Sequence, residues 1–451
     1  MSLFRLFIAY LLLFSISFFL LENIQDINES TGYVALSIFF VLSTLLFVLS
    51  NKYNVVLKLN SVFLPLFLFL IYFSLNFMFD NMDLTKFKAV TLGTSGGIVF
   101  SLLTGVLISF TLAVIYELSS KTRGLRKIST GMAFVFLVAV LVKAILIFLK
   151  YMGDVRIDLF LTNDQEGNYQ RPAAFMFMLF MIVASLVVMK FSIKEVRVNV
   201  YLKFVFFTLL IFISIILMST SQLIGSNSGL VTIAGFLLIT LTSLLLNNKR
   251  NDLTIYKLRS LSVTKVAFSQ VGLGIFKYVT ITLSFIVTLF LLLFYYFEIN
   301  VEQLRIFGFG DGSVSSIDSR FYLIKNNFIT HLSYNPMLGN TKVDALTTGD
   351  GTYIHSSLSI LTHLGIIGFL LFLLFLIYMY RDIVSKRAVL VEVNLYSNNW
   401  YKLFRLFSVS TVLIFSMFSA FYTWMPLWFC FGLLGVSLVY RSTNGVRQTN
   451  K

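Results

Sequence analysis

The residues best suited to chemistry fall in one hydrophilic segment, residues 298–355, which interrupts an otherwise apolar chain of 451 residues. Two of the three histidines, His331 and His355, lie in it, and a neutral imidazole can accept a proton near neutral pH. Its cationic side chains can meet the negative charge of a phosphate. They are Arg305, Arg320, Lys325 and Lys342. We therefore expect the chemistry of the protein in this segment, which is called the polar loop below.

The sequence around the polar loop is that of a membrane protein. With 58% hydrophobic and 12% charged residues, the chain has too little polar surface for a soluble globule. A bilayer core takes about 20 apolar residues per helix, and about twelve such windows are present. They cover residues 3–21, 32–50, 60–79, 92–117, 128–150, 173–192, 202–220, 228–246, 272–297, 356–380, 403–421 and 425–440. We expect an all-α polytopic membrane protein with nine helices in 1–297, a large and partly helical loop in 298–355, and helices ten to twelve in 356–451.

The distribution of basic residues predicts the topology. Lys and Arg in short loops are retained in the cytoplasm. With a cytoplasmic N-terminus, the inner segments hold 25 of the 35 basic residues and the outer segments nine, while Lys143 lies within a window and is predicted to snorkel. Both termini are then cytoplasmic and the polar loop faces the periplasm or cell exterior. The net charge of +15 is explained without a nucleic-acid partner.

Several kinds of site are not expected. Cys430 is the only cysteine, which excludes intramolecular disulfides and cysteine metal sites. The glycines from Gly308 to Gly312 lack the Lys-Ser/Thr of a nucleotide-phosphate loop, so they indicate a turn-rich loop. No zinc or nucleotide-sugar metal motif is present, and we expect neither a metal nor a cofactor. The energy of any reaction must then come from an activated substrate.

Within the polar loop, residues 319–332 have the spacing of an amphipathic helix lying in the membrane interface. Its predicted apolar face is Phe321, Ile324, Phe328, Ile329 and Leu332. Asn335-Pro336 ends the helix and Gly339 indicates a turn. Arg320 at the helix N-terminus can either bind a phosphate or be a solvated interfacial arginine. His331 is predicted to be solvated on the polar face, and His363, deeper in the next helix, to serve packing.

The order of these residues resembles the signature of the O-antigen polymerase and O-antigen ligase superfamily. Arg320 opens the amphipathic stretch, Asn335-Pro336-x-x-Gly339 follows, and His355 precedes Gly365-Ile-Ile-Gly368 at the start of a long apolar helix. In that family the motif lies in a large periplasmic loop late in a bundle of many helices. Members commonly carry an Arg before the sixth helix, which Arg171 matches.

The chain also departs from the family pattern. His355-Ser356 stands where the family usually has His-Asn, and His363 stands where Glu is frequent. The Ser/Thr-Arg usual at the mouth of the eighth helix is missing from residues 219–229. Three residues of the polar loop can replace that second cation. They are Arg305, Lys325 and Lys342.

The resemblance implies glycosyl transfer at the periplasmic face of a bacterial inner membrane. The donor would be an oligosaccharide linked to undecaprenyl pyrophosphate, and membrane lipids and a chain-length regulator protein are further partners. Arg171 and Arg320 would bind the pyrophosphate, and His355 would take the acceptor proton. From residue type alone, Asp344 and Asp350 can orient sugars, assist as bases or be solvated carboxylates of the loop. The departures favour a polymerase of repeat units. The alternatives are a ligase that acts on lipid A core, and a transporter or flippase, for which twelve helices are equally usual.

Overall fold

The computed structural model describes most of the predicted helices. The residues described are 2–25, 55–58, 62–80, 87–153, 170–193, 200–224, 226–248, 316–348, 354, 358–384, 399–416, 424–436 and 439–442. Two predicted windows, 32–50 and 272–297, lie outside these ranges. Six of the described helices are long and apolar enough to cross a membrane, and three shorter apolar helices accompany them. The chain is therefore a mainly helical protein with the composition of a membrane protein.

The helices follow the apolar windows because each window supplies a continuous hydrophobic surface and few helix breakers. In chain order they are α1 (Ser2–Gln25), α2 (Phe63–Asp80), α3 (Phe87–Lys121), α4 (Arg123–Gly153), α5 (Gln170–Phe191), α6 (Val200–Leu223), α7 (Asn227–Asn248), α8 (Ser316–Tyr334), α9 (Val343–Thr347), α10 (Ser359–Val384), α11 (Asn399–Ser416) and α12 (Met425–Cys430). A π-helical turn, Phe431–Gly435, continues α12.

The helices agree with the predicted all-α class, and two short strands accompany them. Strand β1 (Val55–Lys58) pairs antiparallel with β2 (Val439–Ser442), with Val55 opposite Ser442 and Lys58 opposite Val439.

The chain divides into two compact units. Unit 1 comprises Met1–Thr44, Leu112–Phe309 and Asn398–Phe404, and unit 2 comprises Leu45–Thr111, Gly310–Ser397 and Arg405–Lys451. In unit 1, helix α5 is buried throughout residues 172–190, so it forms the centre of that unit. Its neighbours include α1, α6 and α7.

The core of unit 2 is aromatic. Trp428 of α12 is fully buried and its ring centroid lies 5.5 Å from that of Phe69 in α2 and 6.2 Å from that of Phe372 in α10. Arg405, 1% exposed, donates from Nε to the carbonyl of Leu434 (2.6 Å) and from Nη2 to that of Gly435 (3.1 Å). A buried guanidinium thus satisfies carbonyls at the end of the π-helical turn, where the helix leaves its own carbonyls without amide partners.

Candidate functional site

Helix α8 forms where the sequence predicts an amphipathic helix in the polar loop. It covers Ser316–Tyr334 and ends before Pro336, since proline has no amide proton and disfavours a helical conformation in the residue before it. Arg320 and Lys325 lie on α8, and the Lys325 side chain is exposed. The structure gives the position of Arg320 in the helix but does not describe its side chain.

The predicted apolar face of α8 is only partly correct. Ile324, Phe328 and Leu332 are half-buried, whereas Ile329 is 69% exposed. The prediction that His331 is solvated is wrong, because this histidine is only 1% exposed. Helical periodicity shows which side chains share a face of α8, but it does not show which neighbour covers that face. Helix α9 packs against α8 and covers the side that carries His331.

The two motifs that carry the family resemblance meet in unit 2. The turn of residues 335–340 is hydrogen-bonded by backbone groups to α10, and together they are called the turn–helix junction below. Gly365 breaks α10 with φ 63° and ψ −173°, a conformation accessible essentially to glycine alone. The break frees amides that then donate to the turn: Ile366 to the carbonyl of Pro336 (2.9 Å) and Ile367 to that of Met337 (3.3 Å).

The glycines of the junction are needed for close backbone approach. A Cβ on Gly365 would lie 2.6 Å from the amide nitrogen of Gly339 and nearer still to the carbonyl of Met337. Gly339 itself has φ 75°, and a Cβ there would collide with the backbone of His363. The spacing of the two motifs therefore reflects a backbone interlock in which neither glycine can be replaced without strain.

Helix α2 contributes side chains that sequence analysis missed. The Tyr72 hydroxyl lies 2.9 Å from the carbonyl oxygens of both Leu338, in the turn, and Leu364, at the break. Asn76, one helical turn later, donates from Nδ2 to the same Leu338 carbonyl. A Cβ on Gly368 would lie 2.9 Å from Cε1 of Tyr72, so the last motif glycine gives this tyrosine room. The only sign of these residues in the sequence is that Tyr72 and Asn76 are polar side chains one turn apart in an apolar helix.

A polar cluster lies beside the junction. Nε2 of His331 is 2.7 Å from Oγ1 of Thr348, the residue that follows α9. Asp344 of α9 and His363 of α10 both interact electrostatically with His331. Burial lowers the pKa of His331, and the charge of Asp344 partly opposes that shift. The imidazole is therefore held neutral and able to accept a proton at neutral pH.

The other predicted site residues lie on α9, on α5 or outside the described residues. Lys342 and Asp344 are half-buried at the start of α9, and the amide of Lys342 donates to Oδ1 of Asn340 (2.8 Å). Arg171 lies in the first turn of α5, in unit 1, and its side chain is not described. Arg305 and His355 fall outside the described residues, as does Asp350. Among the described residues, no group of three or more His, Cys, Asp or Glu is placed to hold a metal ion.

Unit 1 holds a second polar cluster, called the Lys190 network below. Lys190 of α5, 7% exposed, donates to the hydroxyls of Ser129 in α4 and Ser119 in α3. Tyr10 of α1 donates to the Ser129 carbonyl (2.8 Å), and its ring lies 5.9 Å from Nζ of Lys190. No role was predicted for Lys190 from the sequence, in which it falls within the apolar window 173–192. Lys143, predicted to snorkel, forms an ion pair with Glu22 at 3.1 Å.

Comparison with known proteins gives no relative for this chain: no protein-family model, no curated protein and no solved structure matches it.

Proposed function

We propose that the protein is a membrane glycosyltransferase that uses a glycan linked to undecaprenyl pyrophosphate, and specifically a polymerase of surface-polysaccharide repeat units. The observation that supports this proposal best is the turn–helix junction. The two motifs that resemble the O-antigen polymerase and ligase signature, 335–339 and 365–368, are in direct backbone contact. A resemblance between motifs that are in contact in the fold supports a shared function better than residue identity at similar spacing alone.

The chemistry that we propose requires few groups. Pyrophosphate leaves readily when fixed cations meet its developing charge in a site sheltered from water. Arg320, in the first turns of α8, is the proposed pyrophosphate ligand of unit 2. The family resemblance assigns the same role to Arg171, in the first turn of α5 in unit 1. Arg305, Lys325 and Lys342 are proposed as additional cations, and Asp344 as a sugar ligand. His355 is the acceptor base that the resemblance implies.

A transporter deserves weighing because broken helices line many transport sites. Here the break at Gly365 lies in the second turn of α10, which begins at Ser359, and not in the middle of the helix. The amides of Ile366 and Ile367 are also already bonded to the turn, and the carbonyl of Leu364 to Tyr72. Backbone groups that are already hydrogen-bonded are not open to an ion or a transported substrate. The break in α10 is therefore better explained as part of a rigid structural contact than as a transport site.

Transfer with purified components tests the proposal. Wild-type protein given lipid-linked repeat units should produce longer lipid-linked glycans, separable by size. Arg320→Ala and Arg171→Ala should abolish most of this activity, and Lys at either position should restore little, because a point charge does not reproduce a bidentate donor. Arg381→Ala is the matched control, since Arg381 is an exposed arginine at the far end of α10. Full activity in both test variants would remove them from the site.

The phenotype of a deletion separates polymerase from ligase. Without a polymerase, lipopolysaccharide should carry a single repeat unit, because one unit can still be passed to the core. Bare core together with polymer on the lipid carrier would instead establish the ligase.

The proposal also requires the polar loop to be periplasmic. Asn326 on α8 and Arg123 at the start of α4 are both exposed and lie in loops of opposite predicted side. In a Cys430→Ala background, Asn326→Cys should react with an impermeant thiol reagent in intact cells and Arg123→Cys should not. Labelling of position 123 alone would invert the topology and place the proposed site in the cytoplasm.

A further inference from the structure

Inside the polar loop a buried imidazole is joined to an exposed hydroxyl. His331 is 1% exposed in the last turn of α8, and its Nε2 lies 2.7 Å from Oγ1 of Thr348. Thr348 is exposed at the C-terminal end of α9. A base in hydrogen-bond contact with an accessible hydroxyl is the arrangement that activates hydroxyl groups in enzymes.

The surroundings keep this imidazole in its neutral form. Among the described residues, the titratable groups that interact with it are Asp344 on α9 and His363 on α10. Nδ1 of His331 is buried, with no hydrogen-bond partner among the described residues. In the tautomer that carries the ring proton on Nδ1, Nε2 accepts the hydroxyl proton of Thr348. Burial lowers the pKa of His331, so the imidazole is neutral at neutral pH, and the relay uses its Nδ1-protonated tautomer. The Thr348 hydroxyl also lies 3.5 Å from the carbonyl of Asp344, a longer contact than the 2.7 Å to Nε2.

We infer that Thr348 and His331 form a proton relay that deprotonates the acceptor hydroxyl, an inference that rests on the proposed glycosyl transfer. The acceptor oxygen attacks the anomeric carbon of the donor and forms the new glycosidic bond. Its proton passes to Oγ1 of Thr348 while the Thr348 proton passes to Nε2 of His331. The bond between the anomeric carbon and pyrophosphate breaks, and the lipid pyrophosphate leaves with the electron pair. The imidazolium then releases its proton to water.

The relay gives Thr348 the contact with substrate and makes His331 a positioning residue that acts through it. It assigns to this pair the proton transfer that the family resemblance assigns to His355. The alternative is a purely structural role, in which the hydrogen bond only holds α9 against α8. The two roles predict different results for a residue that keeps the hydrogen bond but cannot take up a proton.

The substitution His331→Gln separates the two roles, because the glutamine amide oxygen can accept a hydrogen bond from Thr348 but cannot take up its proton. With lipid-linked glycan as donor, His331→Gln and Thr348→Val should each lower kcat by about 10²-fold with little change in KM, the usual contribution of a general base. Thr348→Ser should retain most activity. The decline of wild-type kcat on acidification should be absent in His331→Gln. Thr330→Val, which removes an exposed hydroxyl from α8, is the matched control and should be unchanged.

Each outcome is decisive. If His331→Gln keeps wild-type kcat and its acidic decline, or if His355→Ala alone removes that decline, the relay is wrong while glycosyl transfer stands. If His331→Gln does not fold, the contrast between Thr348→Val and Thr348→Ser decides the inference by itself. A wild-type protein that transfers no glycan from the lipid-linked donor would overturn the proposed function and the relay with it.

Discussion

The turn–helix junction and the Lys190 network satisfy buried polar groups in opposite ways. At the junction, backbone amides freed at Gly365 donate to carbonyls of the turn, and the Tyr72 hydroxyl is shared by the carbonyls of Leu338 and Leu364. In the Lys190 network, side chains bond mainly to one another: Lys190 donates to the hydroxyls of Ser119 and Ser129, and the Tyr10 hydroxyl lies 3.1 Å from that of Ser129. Apolar surroundings make an unsatisfied polar group costly in either case.

The difference lies in what each region can tolerate. A contact between backbone groups depends on the absence of Cβ atoms, so it requires a particular residue at single positions. A side-chain network constrains its residues only jointly, because one residue can be replaced if its hydrogen-bond partner is replaced too. We therefore expect single substitutions to be most damaging at the junction and paired substitutions to rescue the Lys190 network.

The largest effect is expected for Gly365→Ala. A side chain at φ 63° and ψ −173° is strained, and its Cβ would collide with the turn backbone, so we expect a loss of at least about 3 kcal/mol of stability. Denaturant titration in mixed micelles would measure it. Gly131→Ala in α4 is the control, because a Cβ there meets nothing within 4 Å and should leave stability unchanged or raised. Equal stability of both variants would contradict the interlock.

A smaller effect, about 2 kcal/mol, is expected for Ser129→Ala, which removes a hydroxyl that bonds Lys190 and approaches Ser119 to 2.8 Å. In a Lys190→Met background the same change should cost much less, because no buried ammonium is then left with one weak partner. The double-mutant cycle, followed by the same unfolding titration, measures this coupling. Additive losses would mean that the network is not a unit.

The smallest effect, about 1 kcal/mol, is expected for Tyr72→Phe, which removes one hydroxyl shared by two carbonyls of the junction. Tyr322→Phe on α8 is matched in chemistry but its side chain is 67% exposed, so it should be silent. The comparison would fail if Tyr72→Phe cost as much as Gly365→Ala, since the interlock would then depend on a side chain.

Much of the helical pattern followed from sequence, and so did the helix that carries Arg320. The apolar windows at 128–150 and 173–192 correspond to α4 and α5, and the stop at Pro336 was correctly placed. The strands β1 and β2 were missed, because a pair so distant along the chain leaves no local pattern. The motifs of the candidate site were recognised as spacing, but their contact was not foreseeable, and the burial of His331 was predicted wrongly.

The positions of the helices and the grouping of polar residues in the loop follow from local sequence, because hydrophobic periodicity, proline and glycine act over a few residues. The partners of the buried polar groups could be read only from the folded structure. Tyr72 meets Leu338 across 266 residues and Tyr10 meets Ser129 across 119. Such pairings depend on which helix faces pack together, and that is decided by the burial of whole surfaces and not by any local run of residues.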